Sequence, residues 1–382
     1  MKLAPFVLAF IILSGVSILA NVLSTDGAGR VLSFSLVAGA AFGIVLQRGR
    51  FCFFCNFRDF VERRIGDGLI SILVALGAGL LLYQIVIMAW MPVPHEARLP
   101  SAHIGPVGLV LAFSSLVFGL GMSISGSCLS AHFYRLGEGS FGCLAALSGA
   151  ALGFLVGFLS WNSIYSIAVF DDPPVWLPHH LGYAGTVLVS MVAIVFVAII
   201  VLRLARPQEY IPSTTTGAIF SRRWPPVLTG LLVAIISAFT YLRVSPLGVT
   251  AELGSLVRTV GTNASLLPET LVGLDTVRAC ISALKTSILS PNGLFVSGIV
   301  LGSFSSALAA GQFNPSWPSP RGVAVRLVGG ALMCWASVTA LGCTVGVLLS
   351  GIHAGALSGW IFLLFCSLGI WLGLKLPQTI RA

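Results

Sequence analysis

Charge is what this sequence has least of. Of its 382 residues only 9% are Asp, Glu, Lys or Arg, while 57% are hydrophobic. A soluble domain carries about 25% charged residues. So large a shortfall leaves too little polar surface for a water-exposed globule, which excludes a soluble enzyme and a string of soluble domains. The motifs of aqueous chemistry are missing as well. There is no Walker P-loop, no His-Glu-x-x-His and no Gly-x-Ser-x-Gly, so neither ATP coupling within the chain nor hydrolysis has support and no enzyme is expected. The lone Cys-x-x-Cys, Cys52 to Cys55, lacks the second pair or the histidines that zinc requires. It also lacks the βαβ setting of a thioredoxin-like site. No metal and no cofactor are expected.

Long apolar runs fill the space instead, and mean hydropathy is +0.99. Spanning a bilayer takes about 20 apolar residues. By run length about ten segments qualify, at 4–23, 31–47, 68–91, 104–123, 141–160, 182–203, 226–242, 293–311, 322–341 and 355–375. The first run could be taken for a signal peptide. It continues to Leu23 without an Ala-x-Ala site, so it reads as a first membrane helix. The stretch 247–290 is apolar but broken by Gly, Pro, Ser and single charges. It reads as short or re-entrant helices, or as another span.

The net charge of +9 does not indicate nucleic acid, because no contiguous basic face with interleaved aromatics exists. The basic residues mark topology. Arg48, Arg50, Arg58, Arg63 and Arg64 place the loop 47–67 inside. Asp171 and Asp172 place 162–181 outside, and Arg203, Arg206, Arg222 and Arg223 bring 203–225 back inside. Both termini then lie inside, and Arg98 in the loop 92–103 is the exception. The polar stretch 206–225 reads as a cytoplasmic linker between two membrane halves, 1–205 and 226–382.

The halves resemble each other. Val117 opens VFGLGMSISGSCLSAHFYRLGEGS, and Gly330 opens GALMCWASVTALGCTVGVLLSGIHAGALSG. Each has an apolar span, a glycine break, a cysteine, a short apolar piece, a glycine turn and a further span. Cys128 aligns with Cys343. Given the topology, the two segments enter from opposite sides, as in the inverted repeats of transporters. Broken helices at membrane depth persist where they are buried in protein or line a cavity. The breaks point to a central pathway, although glycines also serve simply to pack helices closely.

Eight cysteines in a long apolar chain do not make a disulfide scaffold. Three stand at breaks: Cys52 in GRFCFFC, Cys128 in SGSC and Cys343 in LGC. A thiol is a weak donor on a polarizable sulfur. A neutral one can hold a soft anion loosely enough to release it, as conduction requires. Each could equally be inert packing. Arg50 and Arg58 beside Cys52, and His132, Arg135 and Glu138 after Cys128, could line a vestibule or anchor helix ends.

These residues resemble the YeeE/YedE family of membrane proteins. The likeness covers most of the chain. It rests on Gly49–Cys52 with Phe57-Arg58-Asp59, on the approach to Cys128 with Tyr134-Arg135 and Gly137-Glu138-Gly139, and on Gly329-Gly330, Met333 and Leu341-Gly342-Cys343-Thr344-Val345-Gly346. The resemblance implies an all-α protein of the bacterial inner membrane, with 9–10 spanning helices and short re-entrant helices in two inverted repeats. It implies uptake of a sulfur-containing anion, thiosulfate first, relayed along Cys52, Cys128 and Cys343. It also implies a small TusA-like sulfur-carrier partner in the cytoplasm, as some relatives have. Ser127 where many relatives have glycine, Val347 where they often have histidine, and the extra Cys55 leave other readings open. These are another sulfur or selenium species, and a redox or persulfide-forming subunit using Cys52 and Cys55.

Overall fold

A computed structural model describes residues 3–95, 99–206, 222–274, 284–285 and 289–381. Arg98, Cys280 and residues 207–221 of the linker lie outside the described residues. The described chain is helical, with isolated bridges and no strands. In order the helices are α1 (Leu3–Leu23), α2 (Gly27–Gly49), α3 (Phe53–Arg63), α4 (Asp67–Trp90), α5 (Leu109–Ser125), α6 (Leu129–Gly137) and α7 (Gly142–Ala168). Then come α8 (Leu177–Leu204), α9 (Pro226–Arg243), α10 (Val249–Asn263), α11 (Pro291–Ala309), α12 (Pro320–Thr339), α13 (Thr344–Ala354) and α14 (Leu357–Leu374). Among the described residues ten helices are long and apolar enough to cross a membrane, and each coincides with an expected span. The chain is an all-α integral membrane protein. In the stretch 247–290, the described part contains the short helix α10.

Local chemistry sets the starts. Asp26 caps α2 by accepting from the Gly29 N–H at 2.5 Å. Ser290 and Ser319 cap α11 and α12, each followed by a proline in the first turn. A hydroxyl satisfies an orphan N–H there, and proline has none to lose.

Four times the chain builds the same unit of long helix, short helix, long helix: α2–α3–α4, α5–α6–α7, α9–α10–α11 and α12–α13–α14. The most extensive interfaces pair the units crosswise. α2 packs on α11 and α4 on α9; α5 packs on α14 and α7 on α12. Small residues permit the approach, because lipid tails supply no hydrophobic drive between helices and packing must hold them. At the α2–α11 crossing a β-carbon added to Gly302 would fall 2.1 Å from the Ala40 carbonyl oxygen. Gly302→Leu would therefore push these helices apart. α8 is peripheral, with Leu188, Val192 and Phe196 each more than 60% exposed, which in this protein means facing lipid.

The basic loops gather at one end. Arg206 N–H donates to the Arg64 carbonyl at 2.9 Å, Arg223 Nε to the Gly49 carbonyl at 3.2 Å, and Arg48 to the Arg222 carbonyl. The loop carrying Asp171 and Asp172 lies at the other end, where Leu177 N–H meets the Gly355 carbonyl at 2.9 Å.

Candidate functional site

Three of the four short helices start from a common device. A residue in the left-handed region stands two positions before a cysteine, and that cysteine is the N-cap. The pairs are Arg50 (φ 51°) with Cys52, Gly126 (φ 79°) with Cys128, and Leu341 (φ 59°) with Cys343. Glycine adopts that conformation freely. Arginine and leucine do so at about 1–3 kcal/mol each, so the surrounding structure enforces those breaks. Every break puts its thiol at the positive dipole end of a short helix, an arrangement that favours anions, and at Cys52 the sulfur also accepts from the Cys55 N–H.

The structure brings two of these cysteines together. Cys52 Sγ and Cys128 Sγ are 3.5 Å apart, and Ser130 Oγ is 3.2 Å from Cys128 Sγ. Cys55 completes the group. Its N–H donates to Cys52 Sγ at 3.5 Å, and its own sulfur accepts from Arg135 Nη2 at 3.2 Å. Cys343 sits elsewhere, accepting from Thr250 Oγ1 at 3.5 Å in the first turn of α10. The thiols are sealed from solvent, with Cys52 and Cys128 1% exposed and Cys343 2%. The described cysteines are free thiols.

The other expected residues divide. Arg50 and Glu138 form an ion pair at 3.1 Å. Gln47 joins them, donating to Glu138 at 3.1 Å and to Gln312 at 2.8 Å while accepting from Ser306 at 2.8 Å. Arg58 pairs with its neighbour Asp59 at 2.9 Å. His132, 1% exposed, is turned to Ser125 Oγ at 3.3 Å, and that hydroxyl reaches the Ser127 carbonyl at 3.0 Å. It braces the break from behind. Sequence reasoning missed Thr250, Ser130 and Gln312. The run Pro246-Leu247-Gly248 before Thr250 is a helix-start signal that could have found the first.

Glycine-broken helices that present buried thiols occur here within a match to the model of the sulphur transport family, which covers residues 48–372. The chain belongs to that family. Two relatives carry the name thiosulfate transporter TsuA. The one from Escherichia coli K12 is 25% identical over 359 residues, covering 88% of this chain and 92% of the relative. The one from Spirochaeta thermophila is 28% identical over 352 residues, covering 88% and 96%. The family match contains all three break cysteines, whereas α1 and nearly all of α2 precede it.

Proposed function

We propose that this chain takes up thiosulfate across the bacterial inner membrane, passing it between neutral thiols at a central constriction. The observation that carries the reading is the repeated break, in which a buried thiol caps a short helix at Cys52, Cys128 and Cys343. Thiosulfate is a dianion with a soft terminal sulfur. A neutral S–H donates to that sulfur without adding opposing charge. Helix N-termini supply positive potential at each thiol, and the one guanidinium at the cluster, Arg135, is bound to Cys55. The names of the two relatives support the choice of substrate. The halves 1–205 and 226–382 are read as inverted repeats joined by the linker 206–225, a reading supported by the crosswise pairing of the four units. By the positive-inside rule the basic end is cytoplasmic. Because the thiols are sealed, passage requires the breaks to move apart transiently.

Expression in a bacterium unable to import inorganic sulfur tests this. Growth on thiosulfate and accumulation of labelled thiosulfate are expected. Absence of both, with the protein demonstrated in the membrane, would overturn the proposal.

A further inference from the structure

Arg48 ends α2 beside the residues of the site, yet its side chain takes another direction. Gln47 and Arg50 join the Glu138–Gln312 network. Arg48 instead lines a cavity of about 300 Å³ bounded by α1, α2 and α11. It is 4% exposed. One Nη2 donates to the Arg222 carbonyl, and neither Nε nor Nη1 has a partner. A buried guanidinium with two nitrogens left without an acceptor carries a desolvation penalty, and the nearest carboxylate of the network, Glu138, acts on it without a hydrogen bond. Its planar fork matches phosphate oxygens.

The rest of the lining is apolar apart from Ser305 and Ser306 of α11, whose hydroxyls are turned to the Ala9 carbonyl and to Gln47. Phe6, Phe10 and Leu13 of α1, Ile44 of α2 and Ala309 of α11 form the walls, with Trp224 beside Arg48. Phe10 is 68% exposed, so the groove opens on the hydrocarbon. From Phe6 to Leu13 the wall runs about 10 Å along the helix, at 1.5 Å per residue. The groove is thus cationic at the basic end of the molecule and greasy toward the bilayer centre. Arg222 and Arg223 flank the cationic end. A tryptophan at that level is where membrane interfaces favour one, and juxtamembrane arginines attract anionic lipid of the inner leaflet. A free anion would find nothing along Phe10 and Leu13, and a zwitterionic lipid would bring its own cation against Arg48, Arg222 and Arg223.

The geometry points to a binding site for one anionic phospholipid of the inner leaflet, its phosphate on Arg48 and one acyl chain along α1. Its longest continuous wall, Phe6 to Leu13, comes from α1, which precedes the family match. The site is a feature of this chain's N-terminal helix, separate from the thiols.

The full chain, purified in detergent and stripped of lipid, would be titrated with dioleoyl phosphatidylglycerol, with dioleoyl phosphatidylcholine and with inorganic phosphate. Bound lipid is read by native mass spectrometry and stabilisation by the melting temperature. Phosphatidylglycerol should remain bound and raise the melting temperature, with phosphatidylcholine weaker by about tenfold and phosphate inert. Arg48→Gln should lower phosphatidylglycerol occupancy about tenfold through loss of the charged hydrogen bonds. Ala309→Phe keeps the cation but fills the groove and should do the same. It decides the matter if the arginine variant does not fold. Equal binding of the two lipids, stabilisation by phosphate alone, or undiminished phosphatidylglycerol binding in the groove-filled protein would overturn the site.

Discussion

The cysteines at the breaks do not keep the same company. Toward the basic end, Cys52 and Cys128 face each other at 3.5 Å, with Cys55, Ser130 and the Arg135 guanidinium around them. Toward the acidic end, Cys343 has the Thr250 hydroxyl at 3.5 Å. One station is a thiol cluster backed by a cation, and the other is one thiol backed by a hydroxyl and a helix end. All three caps follow a left-handed residue, so the backbone device is shared and the side-chain chemistry differs. Under the proposed function an incoming dianion meets the weaker attraction first and the stronger second. A site that binds too tightly conducts poorly, and here the guanidinium is hydrogen-bonded to Cys55 rather than to Cys52 or Cys128, which tempers its pull on the ion.

The severest break in the comparison is removal of a thiol from either station. Cys128→Ala and Cys343→Ala should each reduce thiosulfate uptake to background, roughly 100-fold or more, since stations in series cannot substitute for one another. Uptake surviving in one variant only would mean that the corresponding station lies off the path. A mild thiol oxidant such as diamide should separate the stations next. It should join Cys52 to Cys128, consuming both thiols and leaving Cys343 free by peptide mass mapping, and uptake should stop until reductant is added. Labelling of Cys343 in preference to the pair would show that the cluster is not formed in the membrane. Smaller effects should come from the supporting groups. Arg135→Gln should cut uptake about tenfold and Thr250→Val a few-fold, consistent with hydrogen bonds to charged and to neutral partners. If the threonine variant were the worse of the two, the order of attraction would be inverted.

Much of this was legible in the sequence, for a physical reason. Apolar run length reports the solvent around a helix, and the ten spanning helices follow it closely. Gly126 before Cys128 also announced its break, because glycine alone takes a left-handed turn without strain. Arg50 and Leu341 gave no such sign. Their conformation is imposed by packing and is invisible in residue type. Partners were the hardest to see. Thr250 meets Cys343 across 93 positions, and Gln47 meets Gln312 across 265. Periodicity reports the environment of a residue, not the identity of what touches it. The short helix expected in 247–290 is present as α10, but its bounds were not legible, for a related reason. Glu252 and Arg258 interrupt its apolar pattern, so a short helix and a full span read alike, although Arg258 is only 2% exposed.

The smallest expected effect concerns the cover of the acidic-end station. His103 lies in the loop between α4 and α5, 6% exposed, against α13, where a β-carbon added to Gly346 would lie 3.4 Å from its Cε1. Burial pushes its pKa down to about 4, with a hydrogen bond to the Leu247 backbone working in the opposite direction. An unfolded histidine titrates near 6.5. Between those values the unfolded chain takes up a proton that the folded chain refuses. Stability is therefore full above about pH 6.5 and declines as pH falls toward 4. The melting temperature in detergent should drop by a few degrees between about pH 7.5 and about pH 5, and His103→Gln should flatten that slope. Residues 103 and 346 both lie on the side of the molecule away from the basic loops, so acid should loosen the cover over Cys343 before it disturbs the Cys52–Cys128 cluster. Hydrogen exchange can follow the two regions separately. A loss of protection at low pH, relative to the intrinsic exchange rate at that pH and confined to α13 and the loop 99–108, is expected. Equal loss of protection around α3 and α6, or an unchanged slope in His103→Gln, would assign the acid sensitivity to other groups and remove this distinction between the stations.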